Sequence, residues 1–195
     1  MAFILCLVTS CSTETTTSTE TATAEHALQD NSASDFEKYL NTLNQIPLPF
    51  SHNSFEPFEP LSKHYDKVAF ERYKHQGANQ PLGILFSDSN TVTLLDFSIE
   101  QLGIGPFLTT YDKQGNKIDS LVPYQQTSSV FGHYTVSVTR SYLTINKNHT
   151  ILVVDSITSF SLLPRNSDFG DMRDKVTTSV TKYSIDSNGR IRENN

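Results

Sequence analysis

The sequence predicts a mainly β fold, an antiparallel β-meander forming a twisted sheet, sandwich or barrel, with one or two short N-terminal helices. Three observations predict it. From Pro81 onward the chain is a succession of runs rich in Val, Ile, Thr, Tyr and Phe, side chains that suit a pleated, half-buried surface. Turn residues separate those runs. Three of the turns are alike: Asp112-Lys-Gln-Gly-Asn116, Asn146-Lys-Asn-His149 and Asp186-Ser-Asn-Gly189, each followed within a few residues by an isoleucine (Ile118, Ile151, Ile191). Asp, Asn and Gly stand there because tight hairpins need a residue with positive φ.

The first predicted element is a helix from Asp35 to Asn44. Ser34-Asp35-Phe36-Glu37 matches a capping box, and Phe36, Leu40 and Leu43 follow at helical spacing with Tyr39 beside them. Pro47 ends it. Residues 46–60 hold Pro47, Pro49, Pro57 and Pro60 among Phe50, Phe55 and Phe58, which reads as an extended segment laying aromatics along the domain. A second helix is predicted from Lys63 to Lys74, with Tyr65, Val68, Ala69 and Tyr73 on one face and Gly77 as the stop.

The predicted strands are Leu82–Phe86, Thr91–Phe97, Pro106–Tyr111, Lys117–Val122, His133–Ile145, Thr150–Phe160, Val176–Ile185 and Arg190–Glu193. The turns recur at spacings of 34 and 40 residues, which is near the length of a propeller blade. A blade needs four strands in that length, and about two are found, so a meander is preferred. In His133–Ile145 the alternation changes phase, from Tyr134, Val136 and Val138 to Leu143 and Ile145. A bulge near Arg140 would explain the change.

Composition narrows the classes of function. The 195 residues carry a formal charge of −6, which argues against a broad nucleic-acid footprint. No apolar run has the length of a membrane span. Two cysteines, Cys6 and Cys11, exclude a disulfide-rich scaffold and a four-cysteine zinc site.

The N-terminus supplies the one motif. Ala2 to Val8 is unbroken apolar sequence, too short to cross a bilayer but suited to the core of a secretory signal. Val8-Thr9-Ser10-Cys11 then resembles the lipobox of bacterial lipoproteins. The resemblance implies cleavage between Ser10 and Cys11, with diacylglycerol on the Cys11 thiol. A family lipoprotein carries two or three chains, and each buried methylene is worth about 0.8 kcal/mol, so such an anchor is effectively permanent. A signal normally opens with Lys or Arg, whereas the first basic residue here is Lys38; a start codon assigned several residues late is the expected reason.

Three parts follow from this reading: a signal peptide at 1–10, a lipidated cysteine with a disordered Thr/Ser/Glu-rich tether at 11–34, and a single β-rich domain at 35–195. The tether has Leu28 as its one large apolar residue, too little to offset the entropy of ordering. As a coil it would reach roughly 25 Å. It holds Glu14, Glu20, Glu25 and Asp30 and no cation, so the domain itself is close to neutral.

Signals for chemistry are sparse. The six histidines, at 26, 52, 64, 75, 133 and 149, show no helical zinc spacing. Asp168, Asp171 and Asp174 recur every three residues in the Pro164–Asp174 loop, a carboxylate-rich stretch able to bind a hard cation such as calcium. The loop lacks the alternate-position spacing of an EF-hand and includes Arg173, so a solvated polar loop is the preferred reading. No Gly-x-Ser-x-Gly, no phosphate loop and no free nucleophilic cysteine occurs, and nothing calls for a cofactor. Distant carboxylate pairs for glycoside hydrolysis stay open. Segments 46–60 and 161–175 are the expected rims of any pocket, because loops carry function on β scaffolds.

Asp119-Ser120-Leu121 and Asp155-Ser156-Ile157 resemble the Asp-Ser/Thr-aliphatic sites at which Bacteroidota O-glycosylate exported proteins, which implies glycans on Ser120 and Ser156. The plain alternative is an ordinary Asp-Ser near a strand end. With its lipobox, Thr/Ser tether, short helix with Leu48-Pro49-Phe50, and β-hairpins, the whole chain is similar in style to uncharacterised Bacteroidota lipoproteins. That resemblance implies a location: the cell envelope, anchored through Cys11 in the outer membrane, on its periplasmic or its surface face. The expected function is a non-enzymatic binding or scaffolding module for a protein or glycan partner. A small envelope hydrolase using carboxylate or histidine residues, and an inhibitor or immunity-type lipoprotein, are the alternatives.

Overall fold

A computed structural model describes residues 35–58, 64–98, 105–124, 129–131, 135–161 and 175–194. Among these residues two helices, α1 (residues 35–40) and α2 (Lys67–Tyr73), accompany ten strands. The strands are β1 (Phe50–Asn53), β2 (Gln80–Ser87), β3 (Thr91–Phe97), β4 (Phe107–Asp112) and β5 (Lys117–Leu121). They continue with β6 (Ser129–Phe131), β7 (Thr135–Ile145), β8 (Thr150–Ser161), β9 (Lys175–Ile185) and β10 (Ile191–Asn194). All strand pairing is antiparallel, in a small sheet ordered β2-β3-β4-β5 and a large one ordered β1-β7-β8-β9-β10 with β6 on β7. The mainly β meander is therefore what the chain adopts. Among the described residues its two sheets stack and do not close into a barrel.

The small sheet is the middle layer. Every residue of β3 is buried, as are Phe107 to Tyr111 of β4. One face carries Leu95, Phe97 and Leu108 against Leu143, Ile145, Ile151, Val153 and Ile185 of the large sheet. The other carries Val92, Leu94, Phe107 and Tyr111 against Phe36, Tyr39, Phe70 and Tyr73 of the two helices. A strand with apolar cover on both faces loses the usual alternation, hence the near-continuous run Val92-Thr-Leu-Leu-Asp-Phe97.

The three like turns fold alike. In each, the first residue's N–H donates across the loop, Asp112 to Asn116 O, Asn146 to Thr150 O and Asp186 to Arg190 O. The fourth residue adopts positive φ: Gly115 at 84°, His149 at 62° and Gly189 at 77°. Asp112 and Asp186 each accept two further loop N–H groups on Oδ1. This is the three-residue hairpin, a type I turn closed by a left-handed residue.

The helices differ from expectation. The first stops at residue 40, not at Asn44. Asn41 N–H makes the last i−4 bond, to Glu37 O, and the N–H groups of Thr42 and Leu43 then bond back only three residues, to Tyr39 and Leu40. The chain then leaves the helix because Asn44 O and Ile46 N–H pair with Ile84 N–H and O of β2. The second helix starts at Lys67, not Lys63, because Asp66 caps it by accepting from Val68 and Ala69 N–H at 2.9 and 3.1 Å. That start turns Phe70 and Tyr73 inward and leaves Val68 exposed. Gly77 is no helix stop; a Cβ there would lie 2.8 Å from the Phe107 ring, so the glycine serves packing.

Two strands escaped the sequence reading. β1 lies inside the extended segment 46–60, and β6 is three residues long. The bulge expected near Arg140 is absent. β7 pairs with β8 without a break from Thr135↔Ser161 to Ile145↔Ile151. The change of phase has another cause: Ser141, Leu143 and Ile145 are buried on the face toward the small sheet, whereas Val136 and Val138 lie on the opposite face. Register shifts occur instead in β2, at Pro81/Gly83 and Ile84/Phe86, and beside Tyr111 in β4.

Gly83 sits where the segment after α1 crosses β2. Its φ is 151°, and a Cβ would lie 2.3 Å from the Asn44 carbonyl oxygen. Gly83→Ala therefore strains the backbone and pushes that segment off β2. We expect a loss of about 2–4 kcal/mol of stability, read as a lower urea midpoint with unchanged slope.

Candidate binding surface and buried polar site

The large sheet is longer than the small one it covers. β7, β8 and β9 run 11, 12 and 11 residues. Only their near halves, around Leu143, Val153 and Ile185, pack on the small sheet. Cross-strand partners share a face, so the outward surface can be read in rows. They are Val136–Phe160, Val138–Thr158–Val176, Arg140–Ser156–Thr178 and Tyr142–Val154–Val180. Tyr142, Phe160, Val176 and Val180 are exposed.

Phe55, just past β1, joins this face. Ser54 N–H donates to Ser141 O, and Ser141 N–H donates back to Ser54 Oγ, which carries the β1–β7 pairing one step further. Phe55 then lies beside Arg140, whose guanidinium carbon stands 4.6 Å from the ring centroid. The inward face of the same distal half is mostly polar, with Ile157 the exposed apolar exception. Ser137 and Ser159 hydroxyls pair at 2.8 Å, and Ser141 Oγ donates to Asp155 at 2.5 Å. The apolar side of these half-strands thus faces away from the core.

A second feature lies under the helices. Asp96 is 1% exposed on the helix-facing side of β3. Its Oδ2 accepts from His75 N–H at 3.3 Å, while Oδ1 has no partner. The hydroxyls of Tyr39 and Thr109 on the same side are also buried without a partner. Desolvation pushes the Asp96 carboxyl up to about 7, opposed by the His75 N–H and the Lys74 charge. The same burial pushes the Tyr39 and Tyr111 phenols up.

A cleft of about 380 Å³ opens between the end of α2 and the β4–β5 turn, lined by Arg72, Tyr73, Lys74, Tyr111, Gln114 and Lys117 among others. Two of its three cations are answered by acids: Arg72 by Asp35 at 3.5 Å and Lys74 by Glu71 at 2.8 Å. The Tyr111 hydroxyl donates to the Tyr73 carbonyl.

Of the histidines, His52 stacks on Phe58 with centroids 3.6 Å apart, and its Nδ1 lies 2.5 Å from Tyr124 Oη. Burial lowers the His52 imidazole and raises the Tyr124 phenol, and the two share one hydrogen bond. His75 stacks on Phe107 and is lowered by burial and then by Lys117. His149 supplies a hairpin's positive φ against Phe86. These positions are held by packing and turn geometry.

Ser120 and Ser156 are both half-buried within strands, Ser120 opposite Thr109 on β5 and Ser156 between Arg140 and Thr178 on the outward face. Asp119 is engaged structurally: it accepts from Ser120 N–H at 2.8 Å and from Ile191 N–H at 3.0 Å, joining β5 to β10. Cys11, the tether, His26, His133 and the Asp168, Asp171, Asp174 loop lie outside the described residues, as do parts of the expected rims 46–60 and 161–175. Among the described residues no three His, Cys, Asp or Glu side chains gather as for a metal, and no helix is long and apolar enough to cross a membrane.

The sequence reading missed the outward face. The signal was present in the phase change of β7, which places Val136, Val138 and Tyr142 on one side and Leu143 and Ile145 on the other. Comparison with protein-family models, curated proteins and solved structures finds no match to this chain.

Asp96 gives a pH test. The unfolded carboxyl titrates near 4 and the folded one near 7, so the folded state binds more protons in between. The contribution of Asp96 to stability therefore falls as pH rises from about 4 to 7 and levels off above, while the lowered His52 and His75 contribute with the opposite sign. Asp96→Asn removes this slope and raises stability at pH 8 by on the order of 2 kcal/mol relative to the parent, seen in urea midpoints collected from pH 4.5 to 8.5.

Proposed function

We propose that this chain is an envelope lipoprotein, anchored through Cys11, that works by binding a protein partner on the outward face of its large sheet. The observation that carries the binding reading is that face. It presents Phe55 and Tyr142 around Arg140, with Phe160 two rows further along and Val176 and Val180 alongside. Exposed aromatics around an arginine match the composition of interface cores, in which Tyr, Phe and Arg are enriched. Scattered apolar residues need no explanation, but a grouping on one sheet face does. What supports the anchor is the tetrapeptide Val8-Thr9-Ser10-Cys11 and the polar stretch after it, long enough to hold a domain clear of headgroups.

Two measurements test the two halves separately. In cells expressing the chain behind a complete signal, Cys11→Ala moves the protein from the membrane to the soluble fraction. Continued tight membrane association of that variant would remove the anchor. For the binding half, a photoreactive residue at position 160 captures an envelope protein on illumination, whereas the same group at the more exposed Val68, on α2, does not. Equal, weak labelling from both positions would count against a partner on this face.

A further inference from the structure

We infer that two copies of this chain pair edge to edge through the distal half of β9, making one continuous antiparallel sheet about a two-fold axis at Thr178. This goes beyond the binding reading and does not depend on it.

The argument begins with how the molecule treats its strand edges. An unpaired edge presents rows of free N–H and C=O groups, and proteins blunt such edges with short strands, proline, bulges or charge. β2 carries Pro81 and two register shifts. β5 is five residues long and holds Lys117 and Asp119. β1 and β10 are four residues each and β6 is three. β9 is different. β10 pairs with it only at Lys182–Ile185. Among the described residues no strand pairs with the same edge over 175–181. That stretch has no proline, keeps unbroken register with β8, and carries one charge, Lys175.

The sequence of that edge says what fits it. Lys175-Val-Thr-Thr-Ser-Val-Thr181 is nearly symmetric about its centre. In an antiparallel pair centred on Thr178, Val176 meets Val180 of the second copy, and Thr177 meets Ser179. Both contacts occur twice, as a two-fold interface requires. Lys175 falls opposite a threonine, so no like charges face each other. Val176 and Val180 are 61% and 63% exposed, and both are on the outward face. Pairing would cover them with each other. It would also extend the row Tyr142–Val154–Val180 into Val176 and Thr158 of the second copy. A foreign extended peptide could add to the same edge through its backbone, but this chain's own strand already supplies the matched valines in both crossings.

The test is sedimentation velocity on the full chain carrying Cys11→Ala, under reducing conditions so that Cys6 cannot link copies. The parent is expected to sediment as a dimer of the 21.9 kDa chain at micromolar concentration and to dissociate on dilution. Val176→Lys with Val180→Lys sets lysines opposite each other in both crossings and should weaken the dimer by about tenfold or more. Val176→Glu with Val180→Lys sets opposite charges there and should restore it. Both sites are exposed in the single chain, so circular dichroism should show all variants folded. A parent that is monomeric at every concentration overturns the inference. So does a dimer that is indifferent to the double lysine change, or one that the charge-swapped pair fails to restore.

Discussion

A sheet buried on both faces must be covered twice, and the rest of this structure answers that requirement. β3 and β4 expose almost nothing, so their side chains need apolar cover from two directions. The chain provides one cover before the sheet is made, with Phe36, Tyr39, Phe70 and Tyr73 on two short helices. It provides the other afterwards, with the near halves of β7, β8 and β9. Neither helix is long enough to be stable alone in water, so both depend on that contact.

The seam between the sheets is held by polar groups at one end. Thr110 donates its hydroxyl to the Gly189 carbonyl at 2.7 Å, and Asp119 accepts the Ile191 N–H. Gly189 is needed twice over, for its positive φ and because a Cβ would lie 2.9 Å from Ile118. The third similar hairpin is thus seated on the strands that flank the first. Beneath the helices the polar groups are less well satisfied. Asp96 has one oxygen paired and one not, a cost that buried carboxyls meet by holding a proton.

The functional reading follows from what the cover leaves over. The three long strands exceed the small sheet, and their surplus halves turn most of their apolar residues outward and, Ile157 apart, mainly serines and threonines inward. This inversion is unlike a surface that merely faces water. The outward face offers aromatics around Arg140, and the edge of β9 that no strand pairs among the described residues offers a self-matching strand. The two lie side by side, because Val176 and Val180 belong to both. A second copy at the edge would therefore widen the surface that a partner meets.

Much of the fold was legible in the sequence. β-branched runs and the Asp, Asn and Gly of the three turns placed eight strands, because both signals are local: a side chain's fit to a pleat and a residue's tolerance of positive φ act within a few positions. The lipobox resemblance at Cys11 is local too, and it alone directs the reading toward the envelope. Helix ends were less legible, since Asp66 and the Asn44–Ile84 pairing, rather than spacing, decided them. The outward face was hidden for a deeper reason. Alternation in β7 states which residues share a side, Val136 with Tyr142 and Leu143 with Ile145, but not which side is covered. That was settled by β3 and β4, some 40 residues earlier in the chain. The sequence by itself determined the strands, their turns and the two-sided character of each strand. Only the tertiary structure decided which side became core and which became surface, because burial depends on what packs opposite, and here that comes from far along the chain.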